Sequence, residues 1–391
     1  MEVTLFDTME RVALYPFTEI RAVADLRTGL YTLRERWAHF FRQPVHVATA
    51  LYLSRKYEPA PGADHLYINA ATFPDPAFCT ALQQLQPGHL LVHGDTVIAL
   101  RTNHHPTFGF AATDFPAYRV HAFQPAHSLL RYPFQLTQWN GYWLEQDFRQ
   151  VTYNRRSEPL PACAQVTGNG PIFVEPGAVL EHCFINTQQG PVYIGAGSSV
   201  LDGSCIRGPF ALLKQGVVKM GALIYGATTI GAHSVAGGEI KNSILFDAAN
   251  KAHEGYLGDA VVGSWCNLGA GTSCSNLKNT AAEVKIWNKH LHQWIPAGSK
   301  CGVMLGDYSR TAIHTALNTG TVTGISCQVL HTGFVPKFVN DFTWNCATGE
   351  RYVYEKALRD IRTWMHLKQA DLQQADTEIL LHLFSKQSTH V

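Results

Sequence analysis

The chain has 391 residues, and its 31 lysines and arginines nearly balance its 30 aspartates and glutamates, for a formal net charge of +1. This balance provides no basic surface for nucleic acid, and the sequence has no run of 18 or more apolar residues to span a membrane. The opening MEVTLFDTME lacks a charged segment before an apolar core, so we expect a soluble, cytoplasmic protein without a secretory signal. The nine cysteines form no CxxC pair, which favours reduced thiols over a zinc site.

Residues 1–155 have the pattern of an α/β domain. Strand candidates include residues 3–7 and 45–53, followed by HLYINAATF and by HLLVHGDTVIALR, which also fits a hairpin. An amphipathic helix is predicted around residues 28–40. Alternating strands and helices, with an acid where the first strand ends, are typical of a sheet that binds nucleotides beyond the carboxyl ends of its strands.

The middle of the chain has a six-residue repeat. Residues 131–148 predict a helical connector, and 155–171 form a polar, proline-bearing boundary. An aliphatic residue then recurs at every sixth position: Ile194, Val200, Ile206, Leu212, Val218, Ile224 and Ile230. A short period sustained this long predicts a solenoid whose repeats bury their faces by stacking. Six residues per face and three faces per turn predict a left-handed parallel β-helix of hexapeptide repeats over residues 156–345.

Two further segments flank or interrupt the repeat. The residues Ala357, Ile361, Trp364 and Leu367 follow helical spacing, so residues 346–391 are predicted to form a helical segment that caps or flanks the β-helix. A loop at residues 281–299 is rich in lysine, histidine and tryptophan. Its composition suits the phosphates and adenine of coenzyme A, although the sequence leaves open whether it binds them.

Four motifs within the repeat carry a resemblance to a known family. GPFALLKQG, GGEIKNS, NKAHEGYLGDA and NLGAGTSCSN are similar, in this order, to the acetyltransferase domain of the bifunctional glucosamine-1-phosphate acetyltransferase and N-acetylglucosamine-1-phosphate uridylyltransferase. Residues 5–37 and 302–324 also resemble bacterial sugar nucleotidyltransferases fused to such a β-helix. The resemblance implies a trimeric N-acyltransferase that uses acetyl-CoA, or another acyl-CoA, and an amino-sugar phosphate in sugar-nucleotide biosynthesis.

The resemblance also implies catalytic and substrate-binding residues. His253 stands where the family has its general base, and Glu239 matches an acid that could orient the imidazole. A histidine suits this role because it titrates near the working pH. Lys241, Tyr256 and Asn267 match residues that bind the sugar phosphate.

Other matches are less direct. Lys214 replaces a family arginine, and lysine cannot offer phosphate a bidentate fork. Asn276 matches an asparagine near the reacting acyl group, and backbone amides from Gly269 to Thr272 could bind the thioester oxyanion. Asn267 and Asn276 fit equally well as corner asparagines that tolerate the left-handed region.

The N-terminal domain departs from the nucleotidyltransferase pattern, so its activity could be degenerate. No glycine lies between Leu5 and Thr18, where the family has a glycine-rich loop for the triphosphate. Arg11 and Arg21 could supply positive charge instead, and Asp95 matches a Gly-Asp that holds magnesium in the family. Two alternatives therefore stay open. One is a magnesium-dependent sugar-1-phosphate nucleotidyltransferase, acting on a nucleoside triphosphate, whose β-helix only forms the trimer; the other is a non-catalytic scaffold that binds sugar nucleotides.

Overall fold

The computed structural model describes residues 1–126 and 129–386. It contains an α/β domain, a parallel β-helix and a C-terminal pair of helices, which confirms the predicted order of architectures. Within those two ranges, no helix combines the length and apolar character that crossing a bilayer requires.

The N-terminal domain is built on a six-stranded mixed sheet with strand order β2-β1-β3-β5-β4-β6. β1 runs parallel to β2 and β3, β4 and β5 form an antiparallel hairpin, and β4 runs parallel to β6. The strands are β1 (Glu2–Phe6), β2 (His46–Ala48), β3 (His65–Asn69), β4 (His89–His93), β5 (Thr96–Thr102) and β6 (Arg119–Ala122). The helices are α1 (Leu33–Phe41), α2 (Pro76–Gln84) and α3 (Gln135–Thr152), with 3₁₀ turns at Met9–Leu14, Val23–Asp25, Leu51–Lys56 and Ala112–Asp114.

Helix α1 begins later than its sequence pattern predicts. The side chain of Thr32 accepts a hydrogen bond from the amide of Glu35 at 3.1 Å, and the Glu35 carboxylate accepts one from the Thr32 amide at 2.7 Å. This reciprocal capping box fixes the helix start at Leu33. The predicted start at residue 28 was wrong because Gly29 turns the chain with a positive φ of 76° and brings it against Asp147 of α3.

The β-helix has three parallel sheets, here called the first, second and third faces in the order in which each coil visits them. The first face comprises Gln165–Thr167, Phe184–Asn186, Cys205–Arg207, Leu223–Ile224, Glu239–Lys241, Tyr256–Gly258, Ser273–Cys274 and Ala316–Leu317. The second comprises Ile172–Val174, Val192–Ile194, Phe210–Leu212, Thr228–Ile230, Ile244–Leu245, Val261–Val262, Met304–Leu305, Val322–Thr323 and Phe338–Val339. The third comprises Val179–Leu180, Ser199–Val200, Val217–Val218, Val235–Ala236, Asn250–Lys251, Asn267–Leu268, Arg310–Thr311 and Gln328–Val329. All seven aliphatic residues of the six-residue repeat are buried. The handedness of the coil stays a prediction.

The N-terminal domain covers the second face. Ile244, Val261 and Met304 share one buried cluster with Trp37 and Trp143 of the N-terminal domain. Helix α3 adds polar contacts, since the Asn140 amide donates to the Ala227 carbonyl at 2.8 Å. The two parts therefore form one continuous hydrophobic core, not two bodies joined by a linker.

The insertion within the β-helix is a hairpin of Lys285–Asn288 and Gln293–Pro296, docked on the N-terminal domain. The Asn288 side chain donates to the carbonyls of Val12 and Ala13 at 3.0 and 3.2 Å. This hairpin ties the later coils to the first loop of the chain.

The C-terminal segment flanks the β-helix. A short hairpin of Thr343–Asn345 and Glu350–Arg351 precedes α4 (Tyr354–His366) and α5 (Gln374–Lys386). The two helices pack along the edge between the second and third faces, where Tyr308, Ile325 and Phe342 join their buried cluster. Because the N-terminal domain and these helices occupy other sides, the first face is left without a covering element among the described residues.

Candidate functional site on the first face of the β-helix

Several of the predicted polar residues gather on the first face, in two consecutive coils. Glu239 lies directly beneath Tyr256 in the parallel ladder, and Lys241 lies beneath Gly258. Residues at these alternate positions point outward while Ile240 and Leu257 between them are buried inside the coil. Gly258 leaves room for Tyr256, because a Cβ there would stand 2.3 Å from the tyrosine hydroxyl oxygen.

The buried carboxylate of Asp259 holds two side-chain amides beside this cluster. Asp259 is 8% exposed, and its two oxygens accept hydrogen bonds from the side-chain amides of Asn242, at 2.6 Å, and Asn276. Burial raises the pKa of Tyr256 to about 12, with further contributions from Asp259 and Glu239, while a hydrogen bond with Asn276 opposes the shift. The phenol is therefore neutral at ordinary pH and can donate a hydrogen bond. Sequence reasoning missed Asp259 and Asn242, although both lie in the motifs that carry the resemblance.

His253 lies in solvent beside this cluster. It occupies the corner of residues 252–255, between the third-face strand Asn250–Lys251 and the first-face strand Tyr256–Gly258. The Glu239 amide donates to the Gly255 carbonyl of this corner at 3.3 Å. Among the described side chains, no hydrogen bond joins Glu239 and His253, so the acid neighbours the imidazole without orienting it in this conformation.

Lys241 brings a cation to the same surface. It is exposed, and its ammonium nitrogen lies 5.8 Å from the centroid of the Tyr225 ring. His253 lies at the edge where the first face begins, Asn276 lies at the edge where it ends, and Glu239, Lys241 and Tyr256 lie on the face between them. A base, an acid, a cation and two hydrogen-bonding groups are thus available to a ligand on this face.

Two predicted substrate residues lie elsewhere on this chain. Asn267 is on the third face, in register between Asn250 and Arg310 and close to α4. Lys214 lies in an exposed corner between the second and third faces. A single copy of the chain does not bring either side chain to Tyr256.

The amides predicted to bind an oxyanion are partly engaged. The Gly269 amide donates to the Thr311 hydroxyl at 3.0 Å, and the Thr272 amide donates to the Gly269 carbonyl at 3.1 Å. The Thr272 hydroxyl is buried against Thr311 at 2.8 Å. These groups hold the corner of the coil together in this conformation.

In the N-terminal domain, Arg11 and Arg21 are both buried in ion pairs. Arg11 contacts the Asp7 carboxylate at 3.0 Å and also donates to the carbonyls of Thr18 and Arg21. Arg21 pairs with Asp307 of the β-helix and lies 5.0 Å from the Phe246 ring centroid. In this arrangement both arginines hold the fold together.

A cleft of about 460 Å³ nevertheless opens at the carboxyl end of β1 and β2. Its lining includes Asp7, Thr49, Tyr67, His105 and Phe110. The Asp7 carboxylate already accepts from Arg11 and Thr49, and the cation at the rim, Arg55, pairs with Glu378 of α5. The cleft therefore presents aromatic rings and few free charges.

Asp95 is exposed in the turn between β4 and β5, at the same edge of the sheet as Asp7. Within residues 1–126 and 129–386, no group of three or more histidine, cysteine or acidic residues is arranged to hold a metal ion. A magnesium ion at Asp95 would need its other ligands from water or substrate phosphates.

Comparison with known proteins finds a similarity in the N-terminal part of the chain. Residues 3–156 match the model of a family described as sugar nucleotidyl transferase. The Bifunctional protein GlmU of Methanocaldococcus jannaschii is 31% identical over 122 residues, which cover 31% of this chain and 27% of that protein. The Bifunctional protein GlmU of Acaryochloris marina is 29% identical over 171 residues, which cover 43% and 31%.

A Bifunctional sugar-1-phosphate nucleotidylyltransferase/acetyltransferase of Sulfurisphaera tokodaii is 32% identical over 92 residues, which cover 23% of this chain and 22% of that protein. The chain thus spans less than a third of the length of these relatives. Among solved structures, UDP-N-acetylglucosamine acyltransferases of Francisella novicida and Arabidopsis align over 59% of this chain and 85% and 91% of theirs. Their identities are 13% and 15%, and their TM-scores of 0.27 and 0.25 are too low to support an argument.

Proposed function

We propose that the β-helix is an N-acyltransferase that moves an acyl group, with acetyl as the first choice, from acyl-CoA to the amine of an amino-sugar phosphate. The observation that carries the proposal is the cluster of His253, Glu239, Lys241, Tyr256 and Asn276 on one surface. The similarity to the bifunctional sugar-1-phosphate nucleotidylyltransferase/acetyltransferase of Sulfurisphaera tokodaii supports this choice of substrates.

In this proposal the amine attacks the thioester carbonyl, the nitrogen–carbon bond forms, and the carbon–sulfur bond breaks. His253 accepts the proton that the amine loses, and the coenzyme A thiolate leaves and is protonated. Glu239 stabilises the resulting imidazolium, and Lys241 with Tyr256 binds the phosphate or a sugar hydroxyl. Asn276, held by Asp259, presents its amide to the acyl end of the site.

Two of the hairpin residues that suited coenzyme A are already paired within the chain. Lys289 pairs with Asp341, and the His290 ring contacts the Glu19 carboxylate at 2.6 Å. Lys285, His292 and Trp294 are exposed and remain available for the phosphates or adenine.

A thiol-release assay with acetyl-CoA and a panel of amino-sugar 1-phosphates tests the proposal. We expect His253→Ala to lower kcat by about 10²-fold to 10⁴-fold, the usual contribution of a general base. The matched control is His182→Ala, which removes an exposed histidine from the same edge of the β-helix in an earlier coil. No release by the wild type with any acceptor would refute acyl transfer to these substrates, and equal losses in both variants would remove His253 as the base.

We further propose a homotrimer joined through the first face. This face carries the exposed apolar side chains Phe184, Leu223 and Tyr225, while the N-terminal domain packs on the second face and the C-terminal helices pack beside the later coils. Apolar residues that recur along a flat face are suited to a repeated interface between identical copies. Sedimentation equilibrium should give three times the chain mass for the wild type and one for Leu223→Asp, whereas a wild-type monomer would contradict the assembly.

The alternative function, sugar-1-phosphate nucleotidyl transfer, is favoured by the family match of residues 3–156 and by the cleft at the end of β1. Magnesium-dependent release of pyrophosphate from a nucleoside triphosphate tests it. Because the arginines near the cleft are already paired, we expect background release that Asp95→Asn leaves unchanged. Release that Asp95→Asn abolishes, and that the control Asp114→Asn keeps, would establish this activity. Sugar-nucleotide binding without either reaction would favour the scaffold.

A further inference from the structure

Lys251 is a cation inside the β-helix. In the third-face ladder, Lys251 pairs with Ala236 of the coil below, and Ala236 pairs with Val218. The side chains at these positions, and Leu268 in the next coil, lie inside the β-helix. Lys251 is 1% exposed and, among the described residues, forms no ion pair, although the charge of the Glu254 carboxylate favours its charged form. Burying a charge without a directly paired counter-ion is costly, so an aliphatic residue would favour the fold at least as well.

The ammonium group bridges two successive corners of the coil. Its nitrogen lies 3.1 Å from the Gly237 carbonyl oxygen and 2.6 Å from the His253 carbonyl oxygen. Both carbonyls belong to the edge between the third and first faces, and the second belongs to the proposed base. Lys251 therefore reaches from the interior of the β-helix to the backbone of the candidate site.

The geometry of the chain shows why a clamp is needed there. In several other coils a corner amide on this edge donates to the corner of the coil below, as Gly221 does to Asp202 at 2.9 Å and His314 to Ala270 at 2.6 Å. Within the described chain, no amide of residues 252–255 makes such a bond. The corner below is shorter, since three positions separate Ala236 from Glu239 on successive strands, whereas five separate Lys251 from Tyr256.

The coil below leaves space for this arrangement. Gly238 has a positive φ of 68°, and a Cβ at this position would lie 2.7 Å from the His253 carbonyl oxygen and 2.9 Å from the Lys251 ammonium nitrogen. Only glycine suits a site that combines this backbone conformation with so close an approach.

We propose that Lys251 is a positioning residue that fixes the corner carrying His253, and so sets where the imidazole meets the acyl acceptor. The inference rests on the proposed acyltransferase function. It gives a side chain inside the β-helix a role in catalysis, because this side chain holds the backbone that carries the base. Burial lowers the pKa of Lys251 to about 8, which is consistent with a cation retained at a cost to stability.

Lys251→Met tests the clamp with a side chain of similar length and no donor. We expect kcat to fall by about 10²-fold through misplacement of the base, with KM and the melting temperature nearly unchanged. Lys368→Met is the matched control, because Lys368 also has a pKa of about 8 through burial. It donates to the carbonyls of His233 and Ala248 and to the side chain of Asn250, and it has no hydrogen bond to the corner of residues 252–255 among the described contacts. This variant should leave kcat unchanged.

Hydrogen exchange gives a readout that does not need activity. The Glu239 amide donates to Gly255 in the clamped corner, so its exchange should quicken in Lys251→Met and stay slow in Lys368→Met. Unchanged exchange of this amide, or faster exchange with kcat intact, would overturn the inference. If the wild type transfers no acyl group, the proposed function fails, while this exchange still decides whether Lys251 holds the corner.

A second pair of variants approaches the corner from below. Gly238→Ala adds a Cβ against His253, whereas Gly221→Ala adds one at the same φ of 68° with nothing within 4 Å. Both carry the same backbone strain, so only the clash separates them. We expect Gly238→Ala to reduce kcat far more than Gly221→Ala, and equal effects would count against a placement role for this corner.

Discussion

The N-terminal domain and the first face of the β-helix use their charged residues in opposite ways. In the N-terminal domain, Arg11 and Arg21 are buried against Asp7 and Asp307. On the first face, Lys241 points into solvent. A charge that already has a buried partner contributes to cohesion, while a charge left in solvent is available to a ligand. The comparison favours chemistry on the β-helix and a mainly structural role for the arginines near the N-terminal cleft.

The largest expected effect concerns cohesion within the N-terminal domain. Asp147 of α3 pairs with Arg36 at 2.7 Å, with both side chains 1% exposed, and also accepts from the Leu30 amide at 2.9 Å. Asp147→Ala leaves a buried guanidinium without its carboxylate, so we expect a loss of about 3 to 5 kcal/mol in the free energy of unfolding. Urea denaturation measures it, with Gln150→Ala on the exposed side of α3 as control. A loss of stability no larger than that of the control would contradict a structural role for the buried ion pairs of this domain.

The next effect is a dependence of stability on pH at Glu19, where the N-terminal domain meets the hairpin. Burial alone would raise the pKa of Glu19, but Lys289, followed by His290 and Arg11, outweighs burial and lowers the pKa to about 2. A carboxylate with a lowered folded-state pKa stabilises the protein above its unfolded value of 4.5, and this contribution disappears as the pH falls from 4.5 towards 2.

For this group the contribution is up to about 3 kcal/mol. Unfolding free energies at pH 6 and pH 3 should therefore differ less in Glu19→Gln than in the wild type. Glu58→Gln, an exposed carboxylate, should keep the wild-type difference. Parallel pH profiles for Glu19→Gln and the wild type would show that this buried pair does not couple to folding.

The smallest effect concerns the free charge of the first face. Lys241→Met removes an exposed cation without a buried partner, so stability should stay within about 0.5 kcal/mol of the wild type. If Lys241 binds the phosphate, KM for the acceptor should rise by about tenfold or more while kcat is maintained. Lys356→Met, which removes an exposed cation from α4, should change neither quantity. A lower melting temperature with an unchanged KM would instead show that Lys241 stabilises the fold and does not bind the acceptor.

Much of the fold could be predicted because its signals are local. The inward residues of the β-helix repeat at a short interval, and all seven aliphatic residues of that repeat are buried as the pattern predicts. The hairpin of β4 and β5 also agreed with its sequence. Helix α1 was misplaced at its start because the capping residues Thr32 and Glu35 outweigh the hydrophobic pattern that precedes them.

The candidate site was predictable in part. The motifs identified Glu239, Lys241 and Tyr256 as candidates, and the structure places all three on one surface. The same motifs contain Asn267, which the structure places on another face of this chain. A step of a few residues around a corner moves a side chain to a different face, so proximity in a motif does not ensure proximity on the surface.

The sequence by itself determined the β-helix and the types of residue gathered in its motifs, because a repeat that stacks on itself requires the same side chains at each turn. Only the tertiary structure decided which charges are free. The partner of Arg21 lies 286 residues away at Asp307, and the ammonium group of Lys251 meets the carbonyls of two successive corners, at Gly237 and His253. Such pairings depend on which elements meet in space, and no local pattern records them.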